Sequence, residues 1–182
     1  MPDITWLVSR ERFEQLYREH AGAVLAYARR RTTREAADDV VADVFLIAWR
    51  RVDDVPAEPL PWLLGVARRV LANQRRGEHR GAALRDRIRG EQVSGVLAPL
   101  GDDGPSAAVR ALWSLDASDQ ELLMLIAWDR LTRAQAAEAL GVTVGTLAVR
   151  LHRARRRLER ATAAIREADP AHDRPSVMEA TR

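Results

Sequence analysis

Residues 131–158, LTRAQAAEALGVTVGTLAVRLHRARRRL, constrain this chain more than any other stretch. They read as two short helices joined by a tight turn. Thr132 caps the first helix, and Gln135, three residues on, completes a reciprocal capping box. Ala136, Ala137 and Leu140 form a narrow apolar face that lets a partner helix come close. Gly141 ends the helix, because glycine accepts the left-handed conformation such a stop needs. Thr143 caps the second helix, in which Val144, Leu147, Leu151 and Leu158 recur at helical spacing as one buried face. The opposite face carries Thr146, Arg150, His152, Arg153, Arg156 and Arg157. An arginine fork fits a guanine edge, and its charge fits a phosphate. A solvated surface helix explains a run of arginines, but not the ordered succession of cap, glycine turn, second cap and basic helix. The pattern is that of a helix-turn-helix whose second helix enters a DNA major groove.

Composition narrows the partners further. The chain has 182 residues, enough for one medium domain or two small ones. All 29 basic side chains are arginine, against 26 acidic residues, for a formal net charge of +3. Local arginine clusters on a nearly balanced chain suit a site-specific nucleic-acid partner better than a histone-like coat. There is no cysteine, so disulfides, thiolate metal sites and cysteine nucleophiles are excluded. His20, His79, His152 and His172 show no metal-binding spacing, and Asp38, Asp39 and Asp43 lack further ligands beside them. No nucleophile–base pair or glycine-rich phosphate loop appears, so neither enzymatic activity nor a cofactor is expected. No apolar run approaches a membrane span, and MPDITWLVSRERF lacks a signal-peptide core; a cytoplasmic protein is expected.

The hydrophobic periodicity is helical throughout. Phe13, Leu16, Tyr17, Val24 and Leu25 mark a first helix from about Arg10 to Arg31. Thr32 or Thr33 caps a second, with Val40, Val41, Val44, Phe45, Ala48 and Trp49 as its apolar stripe. VDDVPAEPLP follows, too rich in proline for a helix. A third helix starts near Pro61, buries Trp62, Leu63, Val66, Val70 and Leu71, and ends near Arg76 and Gly77. Glycines and charges then give a flexible linker, with room for a helical turn around Ala82 to Ile88. Order returns at about Pro105 with Val109, Leu112, Trp113 and Leu115. Asp116 or Ser118 caps the next helix, which holds Leu122, Leu123, Leu125, Ile126 and Trp128 inside. The expected fold is all-α: two small helical domains, residues 10–80 and 105–162, joined by a flexible linker at 81–104. The second contains the helix-turn-helix, and 163–182 is expected to be a disordered tail.

Three motifs in this order resemble the small extracytoplasmic-function (ECF) sigma factors of bacterial RNA polymerase. ADDVVADVFLIAW (37–49) is similar to the family's core-binding helix. PWLLGVARRVLANQRR (61–76) is similar to its promoter-melting helix, and VGTLAVRLHRARRRL (144–158) to its promoter-reading helix. The resemblance implies a promoter-specificity subunit that acts only with core polymerase, docked on the clamp helices and flap of that enzyme. Asp39, Asp43, Phe45 and Trp49 match the clamp contact, with Phe45 and Trp49 serving either that contact or the core. The N-terminal domain would open the −10 element along Arg68, Arg69, Asn73, Arg75, Arg76 and Arg80, with Gln74 also able to bond bases. Trp62 is a candidate for base stacking or for the core. The C-terminal domain would read the −35 element through Thr146, Arg150, His152 and Arg153. Arg155, Arg156 and Arg157 would act as phosphate clamps or contacts between domains. An anti-sigma protein is a further expected partner.

Three features depart from the family pattern. Ala148 and Val149 stand where a basic and a small polar residue are usual. The loop before Trp62 is acidic, proline-rich and slightly short, and Ala42 replaces a common polar contact residue. A stand-alone helix-turn-helix regulator is the alternative, but it leaves 61–76 without a role.

Overall fold

The computed structural model describes residues 4–85 and 105–168, and every regular element among them is helical. They divide into two units: 4–85 together with 137–141, and 105–136 together with 142–168.

In the first unit α1 (Ile4–Arg29), α2 (Arg34–Arg50) and α3 (Pro59–Arg85) pack pairwise into a three-helix bundle. Val24, Tyr27, Val40, Val44, Leu63, Leu64 and Ala67 fill its centre. Thr33, rather than Thr32, caps α2, accepting from the Ala36 amide at 3.4 Å. A short 3₁₀ turn at Val52–Asp54 and the prolines that follow carry the chain to α3.

Helix α1 begins at Ile4, six residues before the expected start at Arg10. The extra turns are held by pairs one turn apart: Arg10 bonds Glu14 at 2.7 Å, and its guanidinium lies 5.7 Å from the Trp6 ring centre. The expected end of α3 near Arg76 and Gly77 is also corrected, since the helix continues to Arg85. A glycine stops a helix when it turns left-handed, and among the described glycines Gly141 alone has positive φ. Gly77 therefore stays in the helix, and the Arg, Glu and Ala residues after it are good helix formers. The linker expected at 81–104 thus loses its first five residues to α3, and 86–104 lie outside the described residues.

The second unit contains α4 (Ala107–Ser114), α5 (Ala117–Ala127), the first half of α6 (Arg133–Leu140) and α7 (Val144–Ala168). Helices α4 and α5 pack on α7 around Ala111, Leu122, Leu125, Leu147, Leu151 and Ala154. The Gln120 amide donates to the carbonyls of Trp113 and Leu115, at 3.1 and 2.7 Å, closing the α4–α5 corner. Asp116 caps α5 by accepting from the Ser118 and Asp119 amides, and the Asp119 amide is the main cause of its lowered pKa. The tail expected at 163–182 is corrected for 163–168, which are the last residues of α7; 169–182 lie outside the described residues. Thr162 donates back to the Leu158 carbonyl at 2.8 Å, and the alanines beyond it have high helix propensity.

The caps of the helix-turn-helix form as their residue types dictate. The Thr132 amide donates to the Gln135 side chain at 2.9 Å, and the Gln135 amide donates to the Thr132 hydroxyl at 3.3 Å. Gly141 has φ +67°, and a Cβ placed there would meet no atom within 4 Å. Gly141→Ala therefore tests backbone strain alone and is expected to cost ~1–2 kcal/mol in a urea titration. An unchanged midpoint would mean that the left-handed turn does not form in solution.

Candidate nucleic-acid interface

Helix α7 presents the first surface. Thr143 caps it, accepting from the Thr146 amide at 3.2 Å, and the two threonine hydroxyls are bonded at 2.9 Å. Leu147, Leu151 and Ala154 point inward, and at 3.6 residues per turn the opposite side carries Gly145, Val149, His152, Arg153 and Arg156. All five of these, with Thr146 and Arg150, are exposed. Between Val144 and Leu158 the helix holds no carboxylate.

Two residues of α7 depart from expectation. Val144, expected on the buried face, is 50 % exposed, because as the first residue of the helix it precedes the turn that meets the core. Arg157, expected among the DNA contacts, is held in an ion pair within the unit. Three residues beyond buried Ala154, it lies on the flank of α7, where Nε bonds Asp119 Oδ2 and Nη2 bonds Oδ1 at 2.9 Å. Asp119, only 4 % exposed at the start of α5, holds both prongs, and this bond raises the pKa of Arg157. Arginine is suited to such a bidentate grip. Helical periodicity does not announce this pair, because the acid lies 38 residues away in sequence.

Helix α3 presents the second surface. Arg69, Asn73 and Arg76 recur at four and three residues and form one exposed stripe, in which Arg76 donates to the Asn73 side-chain oxygen. Arg68 is half-buried on the neighbouring flank. Arg75 is exposed but donates to the Arg31 carbonyl at 2.9 Å, tying α3 to the end of α1. Arg31 itself is buried, donates to the Tyr27 carbonyl at 3.0 Å and stacks on the Tyr27 ring. Arg80 lies on α3 beyond the residues whose side chains are described. Trp62 is half-buried at the start of the apolar stripe.

The third surface is α2. Asp39 and Asp43 are exposed one turn apart, and Leu46 continues the same line. Phe45 does not belong to this surface. It is 3 % exposed, its ring 4.7 Å from Tyr17 and 6.2 Å from Phe13. Spacing explains the correction: Phe45 falls in line with Val41 and Ala48, toward the bundle. Trp49 is half-buried against Phe13, ring centres 5.2 Å apart.

Sequence reasoning also missed a cleft of about 240 Å³ beside the proline-rich loop. Arg12, Gln15, Glu19 and His20 of α1 form one wall, Val55 and Pro56 the other, and Arg12 donates to the Val55 carbonyl at 2.9 Å. Arg12, Gln15 and Glu19 lie on the polar side of α1, and nothing in the helical pattern shows that the loop at Val55 and Pro56 closes over them. Among the described residues no group of three His, Cys, Asp or Glu could hold a metal ion, and no helix is long and apolar enough to cross a membrane.

Comparison with known proteins decides what these surfaces belong to. Residues 16–81 match sigma-70 region 2, and residues 107–158 match sigma-70 region 4. Over 153 residues the chain is 32 % identical to the ECF RNA polymerase sigma factor SigL of Mycobacterium tuberculosis, covering 79 % of this chain and 84 % of that protein. The chain belongs to the ECF sigma factors. It is also 31 % identical over 164 residues to the sigma factor CnrH of Cupriavidus metallidurans, covering 80 % of this chain and 84 % of that one. Among solved structures, the sigma factor RpoE bound to the anti-sigma factor NepR, from Bartonella quintana, superposes with a TM-score of 0.65 at 26 % identity, covering 83 % and 96 % of the two chains. CnrH bound to the cytosolic domain of CnrY superposes with a TM-score of 0.58 at 25 % identity, covering 84 % and 88 %.

This sigma factor therefore directs promoter-specific transcription initiation with RNA polymerase, as a regulatory subunit. Region 2 accounts for 16–81, which a stand-alone helix-turn-helix regulator leaves unexplained. The Asp119 grip also sorts the arginines of α7. Arg157→Ala is expected to leave the slope of log affinity against log salt for promoter DNA unchanged, whereas Arg156→Ala lowers it by about 0.9 if that residue releases a phosphate counterion. Equal falls in slope would return Arg157 to the DNA.

Proposed function

We propose that the first unit docks on the clamp helices of core polymerase and opens the −10 element, while the second, beside the flap, reads the −35 element. Residues 86–104 would serve as the tether, which lets the two units reach separated sites with a gain in effective concentration. The observation that carries this reading is the pairing of an exposed basic face with each matched region: Arg69, Asn73 and Arg76 in region 2, and the outward side of α7 in region 4. The arginines supply a track for the single strand, and Asn73 a side-chain amide for a base edge. Arg68 and Arg75 stand behind that stripe and hold it, and Arg80 extends it by spacing. On α7 the exposed Arg150, His152 and Arg153 are assigned to base edges or phosphates, with Thr146 at the helix start and Arg156 to the phosphates. Asp39 and Asp43 face the polymerase, and Trp49 borders that contact. The cleft beside the loop is assigned as the receiver of an unstacked base.

Of the two solved relatives, RpoE is bound to the anti-sigma factor NepR and CnrH to the cytosolic domain of CnrY. We infer that an anti-sigma protein likewise binds this chain and holds it inactive, in the cytoplasm where polymerase works. Lacking cysteine, it would leave any thiol sensing to that partner.

Permanganate footprinting of the holoenzyme on a promoter it serves tests the division of labour. The Arg69→Ala, Arg76→Ala double variant is expected to lower −10 thymine reactivity by about tenfold, equivalent to ~1.4 kcal/mol of lost strand contact, with initial duplex binding largely retained. Equal losses in both steps would overturn the role of α3 in strand opening.

A further inference from the structure

Val149 is an anomaly on α7. It lies near the middle of the outward side, opposite Leu147 and Leu151, and it is 52 % exposed. Arg150, Arg153 and His152 surround it, so the side that carries it attracts a polyanion and not an apolar partner. One turn earlier stands Gly145, where an added Cβ would meet no atom within 4 Å. The hydroxyl of Thr146 beside it is bonded to the Thr143 cap. The outward side thus carries an apolar, low-profile spot at Gly145 and Val149, with His152, Arg153 and Arg156 following it on the same side.

A valine in the major groove neither donates nor accepts. Against cytosine or adenine it would cover an amino group, and against guanine two acceptors, replacing their water with nothing. Thymine alone offers a methyl group there. Resting on the reading that α7 enters the −35 major groove, we propose that Val149 selects thymine at one position of that element by packing on its 5-methyl group. Gly145 gives the room for the close approach this contact needs. Val149 is then a specificity determinant that works by apolar contact, and the arginines around it supply register and guanine contacts.

Deoxyuridine pairs as thymine does but lacks the methyl, so it isolates this contact. The experiment uses holoenzyme assembled from core polymerase and the full chain, on a promoter whose start depends on the chain. Each −35 thymine is replaced in turn by deoxyuridine, and competition binding is read alongside a hydroxyl-radical footprint. One position is expected to lose about fourfold in affinity, the equivalent of ~0.8 kcal/mol for one methyl group. Val149→Ala, a change at an exposed site, is expected to bind the thymine and deoxyuridine forms of that position nearly alike. Upstream protection without deoxyuridine sensitivity, or with sensitivity that survives Val149→Ala, overturns the methyl contact and leaves the −35 reading intact. Absence of any upstream protection overturns the −35 reading itself and this inference with it.

Discussion

Phe45→Ala is expected to lose the fold of the first unit before it loses any surface contact. The ring is 3 % exposed and sits edge-on to Tyr17 and Phe13. Truncation removes its burial and leaves a cavity between α1 and α2, costing ~3–5 kcal/mol. For a unit of this size the melting midpoint should fall by about 15 °C or more. Phe45→Leu keeps most of the apolar volume and should retain both the midpoint and binding to core polymerase. Thermal melting beside core-binding titrations checks this. A stable Phe45→Ala chain that fails to bind polymerase would mean that the ring leaves the bundle to make the contact.

The opposite pairing of effects is expected from Asp39→Arg with Asp43→Arg. Both carboxylates are exposed on α2, so folding should be untouched within about 0.5 kcal/mol. If they face a basic surface of the polymerase, reversal replaces attraction by repulsion and costs on the order of a hundredfold or more in affinity. Single changes to asparagine should cost far less, because rim charges contribute little individually. Binding that survives the double reversal would move the docking surface off this face of α2. Together the two variants separate the core line of α2, Val41, Phe45 and Ala48, from its outer line, Asp39, Asp43 and Leu46.

Much of the fold is legible in the residues themselves. The caps at Thr33, Asp116, Thr132 and Thr143 and the left-handed stop at Gly141 are visible because each uses the residue type its backbone geometry needs. The misplaced helix ends at Arg10, Gly77 and residue 163 share a cause: no residue there turns the backbone out of the helix, Gly77 included, so side-chain pairing and propensity set the boundary. Arg130 shows the converse. It turns left-handed at φ 56° after α5 with no glycine to announce it, and the bond from the Leu131 amide to the Leu125 carbonyl holds the turn. Side-chain roles are harder to read than helices. Periodicity places Arg157 on the basic face, but a buried acid 38 residues earlier in sequence claims its guanidinium. Phe45 matches a contact motif while its ring fills the core, because one helix serves both purposes on adjacent lines.

The central claim is that this chain confers promoter choice on core polymerase. Multi-round transcription with purified bacterial core enzyme, with and without the chain, on pooled promoter DNA of its source genome tests it most directly. New discrete starts that depend on the chain, sharing paired upstream and −10 sequences, are the expected result. No new starts with an active core enzyme, together with tight duplex binding by the chain alone, would contradict the account and favour a stand-alone regulator.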